Sequence, residues 1–153
     1  MDRDDIVRDD EELYRSVRGR LEDEEYMYNQ GKLRILPKAF RDRHRKPSVD
    51  RAILREHPSL SRLNEMDGIV SLIAGEIRAL KAVETKTDDN EVPHAVDVVY
   101  DPKQENRAHS QIIVTPEYFG SKNKQKLAFR LLRIALAELA TQKGRWTLQP
   151  KLD

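Results

Sequence analysis

The sequence predicts a single α+β domain, in which a small and mostly antiparallel sheet is covered by a C-terminal amphipathic helix. Three observations lead to this prediction. Several short segments alternate polar and apolar residues or are rich in β-branched ones, as half-buried strands are. One long segment near the C-terminus repeats its apolar residues with helical spacing. The chain has 153 residues, a length that suits one core.

The first elements are a polar leader and a strand. Residues 1–12 are expected to form a flexible acidic leader because they hold seven acids, which repel one another and offer little to bury. Residues 13–153 are then the folded domain, and it opens with a strand over 13–17. Residues 21–30 show no clean period, so an irregular segment or one short turn is expected there.

The remaining strands are predicted from alternation and from apolar runs that end at glycine or proline. They are 32–36, 69–74, 96–100 and 110–114. Pro47 to Asp50 is interpreted as a boundary, at which Ser48 or Asp50 caps a short helix over 51–56. A polar loop is expected over 85–91. The strands together make a sheet of about four to six members.

The C-terminal helix is the clearest element, and it is predicted over Lys122 to Thr141. Its apolar residues cover more than half of the circumference, so the sheet or another protein must cover them. Gly144 is expected to end the helix as a C-cap. The tail that follows carries Trp146, which is expected to pack back on the domain.

Composition excludes several classes of protein. The chain is 38% hydrophobic and 36% charged, which indicates a thin core. It has no cysteine, and this rules out disulfides, cysteine nucleophiles and cysteine-ligated metals. No apolar run approaches the roughly eighteen residues of a membrane span, and no secretory h-region follows the first residues. The chain is therefore expected to be cytoplasmic and not associated with a membrane.

The most unusual local feature is a basic stretch, residues 38–52. It has seven basic side chains in fifteen positions, counting His44. Its densest part precedes Pro47 and is expected in an exposed connection, where binding groups are commonly displayed. The predicted binding residues are Lys38, Arg41, Arg43, Arg45 and Lys46. They could contact a nucleic-acid backbone together with Lys122, Lys124 and Lys126.

Charge is distributed in blocks although the net charge is only +1. Residues 1–25 and 63–119 each carry −6, whereas residues 26–62 carry +7 and residues 120–153 carry +6. Each basic block thus has an acidic one to fold against. Self-neutralisation is the first explanation of this pattern, and an external polyanion is the second.

Motifs for common chemistries are missing. The four histidines form no HxH or HxxxH pair, so no metal site is predicted. The six glycines form neither GxxxxGK nor GxGxxG, and no serine lies in GxSxG. No cofactor is predicted. His109 is the best single candidate for chemistry because it enters a predicted strand directly after a turn.

Several short blocks occur in a characteristic order. They are Leu13-Tyr14-Arg15, Ala39 to Arg43, Pro47 to Asp50, Asp67 to Val70, Asp101-Pro102 and Asn106 to His109. This succession, over roughly residues 13–114, resembles a family of small bacterial proteins that share LYR, AF, SVD and AH blocks. The resemblance implies a bacterial single-domain α+β protein and brings no established activity with it.

A fainter similarity is to ADP-ribosyltransferase-like folds. In these an early strand carries an arginine after an aromatic residue, and a later strand presents a serine; Arg15 and Ser48 could take those places. The chain lacks the Gln-x-Glu or Glu-x-Glu turn of that pattern. Glu117 is the one acid that closely follows a strong strand.

Three functions are compatible with these observations. The first is a non-enzymatic binding or accessory protein, whose charge blocks and C-terminal helix region engage a protein partner, for which a protein encoded nearby is the expected candidate. The second is an ADP-ribosyltransferase-like enzyme or nucleotide-ligand-binding domain, in which Arg15, Ser48 and His109 converge. The third is a nucleic-acid backbone binder that uses the basic loop over residues 38–46. We call this loop the basic connection. The oligomeric state is not predicted.

Overall fold

The computed structural model describes residues 5–81, 83, 94–143 and 145–151. Within them the strands are β1 (Glu12–Val17), β2 (Tyr26–Asn29), β3 (Lys32–Ile35), β4 (Ser48–Arg51), β5 (Gly68–Ile73), β6 (Ala95–Tyr100), β7 (His109–Thr115) and β8 (Arg145–Leu148). The α-helices are α1 (Ala74–Arg78) and α2 (Lys122–Gln142). Short 3₁₀ turns occupy parts of the connections.

Six strands form one sheet in the order β6-β7-β4-β1-β5-β8, and every neighbouring pair is antiparallel. Strands β2 and β3 form a separate antiparallel hairpin. The α+β class, with an antiparallel sheet and a C-terminal helix, is confirmed. Neither helix in the described ranges has the length and hydropathy of a membrane-spanning segment.

The core lies between one face of the sheet and α2. Alternate residues of the strands point to this side, as Leu13, Val49 and Ile112 do, and they cluster with Leu132 and Leu136 of the helix. A one-sided core explains how a chain of low hydrophobic content folds. The other face of the sheet carries most of the polar residues, such as Tyr14, Asp50 and His109.

Helix α2 begins at a capped position and docks the hairpin. The Ser121 hydroxyl accepts a hydrogen bond from the Lys124 amide at 3.2 Å, which satisfies one of the free donors of the first turn. At the other end, the Thr141 hydroxyl accepts a bond from the Ile35 amide at 3.0 Å. The helix thus connects the hairpin to the rest of the core.

All five predicted strands are confirmed to within two residues at each end, but two predictions for other segments are wrong. Residues 48–51 form strand β4, so the predicted cap and the helix over 51–56 are wrong; only Ala52–Leu54 makes a 3₁₀ turn. Strand β4 pairs with β1 on one side and β7 on the other, and this pairing outweighs the local capping signals. Residues 21–30 are not irregular throughout, since they contain β2, which turns into β3 through Gln30 and Gly31, both at positive φ.

Part of the acidic leader packs on the domain. Val7 is buried with 2% of its surface exposed. Glu11 is buried too, and its carboxylate binds the Arg51 guanidinium through two bonds, of 2.7 and 3.0 Å. Arg78 of α1 donates to the Val7 carbonyl at 2.8 Å. These contacts attach residues 7–11 to β4 and α1.

The C-terminal tail returns to the sheet as β8, which pairs with β5. Trp146 is half-buried against the core, with its ring 6.4 Å from that of Tyr26 in an edge-to-face arrangement. The prediction that Trp146 packs back is therefore confirmed. The expected cap at Gly144 and the expected loop over 85–91 lie outside the described residues.

Replacing Glu11 by Gln should lower the free energy of unfolding by about 3 kcal/mol, because it leaves the buried Arg51 charge without a carboxylate. The double variant E11L/R51M should lose less than the sum of the two single changes, since it removes both buried charges. Urea unfolding measures both values. The exposed pair Arg20 and Glu22 provides the control, and Glu22→Gln should change stability by less than about 0.5 kcal/mol. A loss in E11Q no larger than in E22Q would contradict the argument.

Candidate functional site

A cavity of about 350 Å³ gathers the three residues that the sequence singles out for chemistry. Arg15 of β1, Ser48 of β4 and His109 of β7 all line it, although 33 residues separate the first two and 61 the last two. The volume lies within the range of small-ligand sites in proteins. The cavity is therefore the candidate functional site.

The register of the sheet places several polar residues of this site on the face opposite the core, whereas Arg15 starts from the core face. Tyr14 pairs with Asp50, and Asp50 pairs with His109, so these three form a row across β1, β4 and β7. Ser48 lies two residues before Asp50 and therefore points to the same side as His109. A diagonal neighbour of this kind is within reach of a long side chain.

His109 connects Ser48 to Asp101. The imidazole Nε2 lies 3.1 Å from the Ser48 hydroxyl. The Nδ1 atom faces two acceptors, the Asp101 carbonyl oxygen at 2.8 Å and the Asp101 carboxylate at 3.2 Å. Because both are acceptors, the hydrogen-bond network assigns the proton to Nδ1 and leaves the Nε2 lone pair for the serine hydroxyl. This is the tautomer in which an imidazole can act as a general base.

Arg15 positions the backbone that leads into β4. Its guanidinium donates to three backbone carbonyls, those of Ala39 at 2.9 Å, Ser48 at 2.8 Å and Arg41 at 3.2 Å. Burial lowers the pKa of this guanidinium, against the attraction of Glu25, Asp42 and Asp50. Arg15 thus lines the cavity, as expected for the enzyme hypothesis, while most of its donors hold the connection to β4 in place.

The connection itself is stabilised by Asp42. Its carboxylate accepts hydrogen bonds from the amides of His44 at 2.8 Å and Lys46 at 3.0 Å. The turn forces Arg45 to a φ of 61°, in the left-handed region, which costs about 1 kcal/mol for a residue other than glycine. The basic connection is thus an ordered turn held by two side chains, Arg15 and Asp42.

The carboxylates around the cavity are already bound by other groups. Asp50 accepts from Ser61 at 2.6 Å, from Asn106 at 2.8 Å and from Arg55 at 3.1 Å. Glu25 lies 3.5 Å from the Arg18 guanidinium and accepts from the Arg18 amide at 3.0 Å. A ligand therefore meets few free negative charges.

Two cations of the cavity, in contrast, have free donors. The side chains of Arg41 and Arg43 line it and are exposed, and neither makes a hydrogen bond or salt bridge to another described residue. Guanidinium groups match phosphate and carboxylate oxygens through paired donors. The cavity thus suits an anionic group placed next to the Ser48 hydroxyl.

The other predicted binding residues have partners elsewhere. Lys38 lies 3.7 Å from Glu24, and Lys46 lies 3.4 Å from Glu117. Arg45 stacks over the Phe129 ring of α2 at 5.8 Å. The basic connection therefore divides, with Arg41 and Arg43 at the cavity and Arg45 and Lys46 toward the helix.

Other candidates do not join the cavity. Glu117 lines a different hollow together with Lys46, so the acid that the ADP-ribosyltransferase-like pattern singles out is not in the cavity. Among the described residues, no group of three or more acids and histidines could hold a metal ion. A larger cavity of about 520 Å³ opens beside the Glu11 and Arg51 pair. Its described lining contains no serine or histidine, and its buried ion pair is internally neutralised.

Asp101 is the member of the site that sequence reasoning missed. It follows the last residue of β6 directly, at the start of the connection to β7. The signal that was available is the pairing of β6 with β7, which brings the end of β6 back to the start of β7. A hairpin between these strands places Asp101 beside His109.

No protein-family model matches the chain, and comparisons with curated proteins and with solved structures return no significant match. The resemblance to the bacterial family, the similarity to ADP-ribosyltransferase-like folds and the expected protein partner therefore stay predictions. The site must be interpreted from its own geometry.

Arg15→Lys should lower the free energy of unfolding by about 2 kcal/mol, because one ammonium group cannot bridge three carbonyls and a charge-assisted bond is worth about that amount. Urea unfolding measures the change. Arg18→Lys is the matched control, since that side chain is 60% exposed and should cost less than about 0.5 kcal/mol. Equal effects of the two changes would show that the three carbonyl bonds contribute nothing.

Glu25→Gln should become more stabilising, relative to the wild type, as the pH rises. Burial raises the pKa of Glu25, so the folded state binds its proton more tightly than the unfolded state does. The stability that this proton contributes is present below the ordinary glutamate pKa of about 4.3 and is lost as pH rises through the higher folded value. Unfolding free energies of both proteins across this window measure the difference.

Glutamine cannot ionise, so its curve should lack this loss. The control is Glu24→Gln, whose side chain is 69% exposed and which should show no such pH-dependent gain. If E25Q instead loses stability relative to the wild type as the pH rises, then attraction to Arg15 and Arg18 outweighs burial in setting the pKa of Glu25.

Proposed function

We propose that the chain is an enzyme acting on a small phosphate-bearing, nucleotide-like ligand, with Ser48 as the nucleophile and His109 as the general base. The observation that carries this proposal is the hydrogen-bonded series from Asp101 through His109 to Ser48, at the wall of a cavity with two uncommitted guanidinium groups. A hydroxyl next to a base-competent imidazole is the arrangement by which serine becomes nucleophilic.

The chemistry that this arrangement supports is transfer of a phosphoryl group. His109 Nε2 takes the Ser48 proton as Oγ attacks phosphorus, and the bond from phosphorus to the leaving oxygen breaks. The imidazolium then gives its proton to that oxygen. In the second half, His109 takes a proton from water as the water oxygen attacks phosphorus. The bond from phosphorus to Ser48 Oγ breaks, and the imidazolium returns its proton to Oγ.

Each remaining group supports these steps by position and charge. Arg41 and Arg43 stabilise negative charge on the phosphoryl oxygens as it shifts in the transition state. Arg15 fixes the backbone of Ser48 through the carbonyl bond, and so keeps its hydroxyl within reach of the imidazole. Asp101 holds the ring orientation from the far side.

Labelling with a fluorophosphonate probe tests the nucleophile directly. The probe should modify Ser48 in the wild type, as found by peptide mass spectrometry, and should not modify S48A. In His109→Gln the labelling rate should fall by at least about 100-fold, because the general base is lost. The same variants should lose hydrolysis of bis(p-nitrophenyl) phosphate.

Ser16→Ala is the matched control for the labelling. Ser16 lines the same cavity, but its hydroxyl binds the Asp67 carboxylate at 3.2 Å and has no imidazole beside it. Labelling of S16A should equal that of the wild type. Modification at another serine, or an equal rate in H109Q, would contradict the assignment of Ser48.

Asp101→Asn should reduce the labelling rate only modestly, by about tenfold or less. The Asp101 carbonyl oxygen is the shorter acceptor for Nδ1, at 2.8 Å, and it survives the change, so the tautomer is retained. Catalytic triads in which the aspartate carboxylate sets the histidine tautomer lose far more activity when that aspartate becomes asparagine. A loss in D101N as large as in H109Q would show that the carboxylate, and not the carbonyl, sets the tautomer.

A further inference from the structure

Four arginines from two distant segments meet beside the candidate site. Arg41 and Arg45 come from the basic connection, and Arg130 and Arg133 come from one side of α2. The stacking of Arg45 over Phe129 at 5.8 Å brings the connection onto the helix. We call these four residues the arginine cluster.

The cluster is not neutralised by the protein. None of its four side chains makes a hydrogen bond or salt bridge to another residue in the described ranges. Burial, and repulsion from Arg41, Arg45 and Arg130, lower the pKa of Arg133. Two acids near the cluster have other partners, since Asp42 accepts two backbone amides and Glu117, which lines a hollow with Arg45, lies 3.4 Å from Lys46.

The cluster is continuous with the cavity because Arg41 belongs to both. A positive path therefore leads from α2, across the connection, to the Ser48 hydroxyl. The cavity, at about 350 Å³, has room for a nucleotide-sized group, whereas a duplex is far too wide to enter it. An occupant of the whole path must be a narrow chain with repeated negative charges.

We propose that the arginine cluster binds the phosphate backbone of a single-stranded nucleic acid, and that one nucleotide of this strand enters the cavity of Ser48 and His109. The entry of the nucleotide rests on the proposed function, since the same phosphodiester would be the group attacked. Binding to the cluster stands on the geometry and charge of the four arginines alone. Backbone contacts of this kind carry affinity without reading sequence.

Fluorescence anisotropy with a labelled single-stranded oligonucleotide of about ten nucleotides tests the surface. Arg130→Glu with Arg133→Glu should weaken binding at least about tenfold. The slope of log K against log salt should fall by about 1.4, because each phosphate contact on a single strand contributes about 0.7. Arg130→Glu alone, at an exposed position, should give part of the loss if the double variant folds poorly.

The matched control carries the same charge change at another place. Lys32→Glu with Arg145→Glu alters exposed residues of β3 and β8, which line none of the cavities described above, and should change affinity by less than about twofold. Equal losses in the two double variants would overturn the proposal, as would tighter binding of a duplex or of poly-glutamate than of the single strand.

The experiment separates this proposal from the proposed function. R130E/R133E should lose affinity for the oligonucleotide and retain fluorophosphonate labelling of Ser48. Labelling of Ser48 without oligonucleotide binding would contradict the binding of a single-stranded nucleic acid and would be consistent with the proposed enzyme activity. Oligonucleotide binding without labelling of Ser48 would contradict the proposed enzyme activity and the entry of a nucleotide into the cavity. It would still be consistent with phosphate contacts to the arginine cluster.

Discussion

The site depends on one half-buried interaction, the contact of the Arg15 guanidinium with three backbone carbonyls. The segment between the hairpin and β4 has little regular structure to hold it, and its carbonyl groups would otherwise lack donors next to the sheet. One planar group with several fixed donors satisfies them together and joins β1 to the start of β4. Because Ser48 is the last residue of this contact, the position of its hydroxyl relative to His109 follows from it.

The two faces of the sheet have different roles. One face meets α2 and carries the apolar core, so it supplies most of the free energy of folding. The opposite face presents Tyr14, Asp50 and His109 in a row, and each of the latter two is held by hydrogen bonds from other elements. Placement on central strands gives these side chains a rigid support, as a catalytic arrangement requires.

Periodicity predicted the elements whose local pattern agrees with the fold, such as α2, β5 and β7. It failed at β4 because Pro47 and Ser48 look like a helix start, and only pairing on both sides makes the segment a strand. Arg15, Ser48 and His109 could be named from the sequence, and the enzyme hypothesis required them to converge, but no local pattern could show that they do. They lie far apart along the chain, and the strand order that joins them is a tertiary property. Asp101 was missed for the same reason, since its partner is across a hairpin.

The alternation of charge along the chain is explained only in part by self-neutralisation. Several pairs do join a basic block to an acidic one, including Arg51 with Glu11, Lys38 with Glu24 and Lys143 with Glu76. The fold nevertheless brings the second and fourth blocks, both basic, against each other where the connection crosses α2. Like charges brought together in this way reduce stability, so folding alone gives no reason for the arrangement. The proposed polyanionic ligand would supply the missing countercharge, which is the second of the two explanations of the sequence pattern.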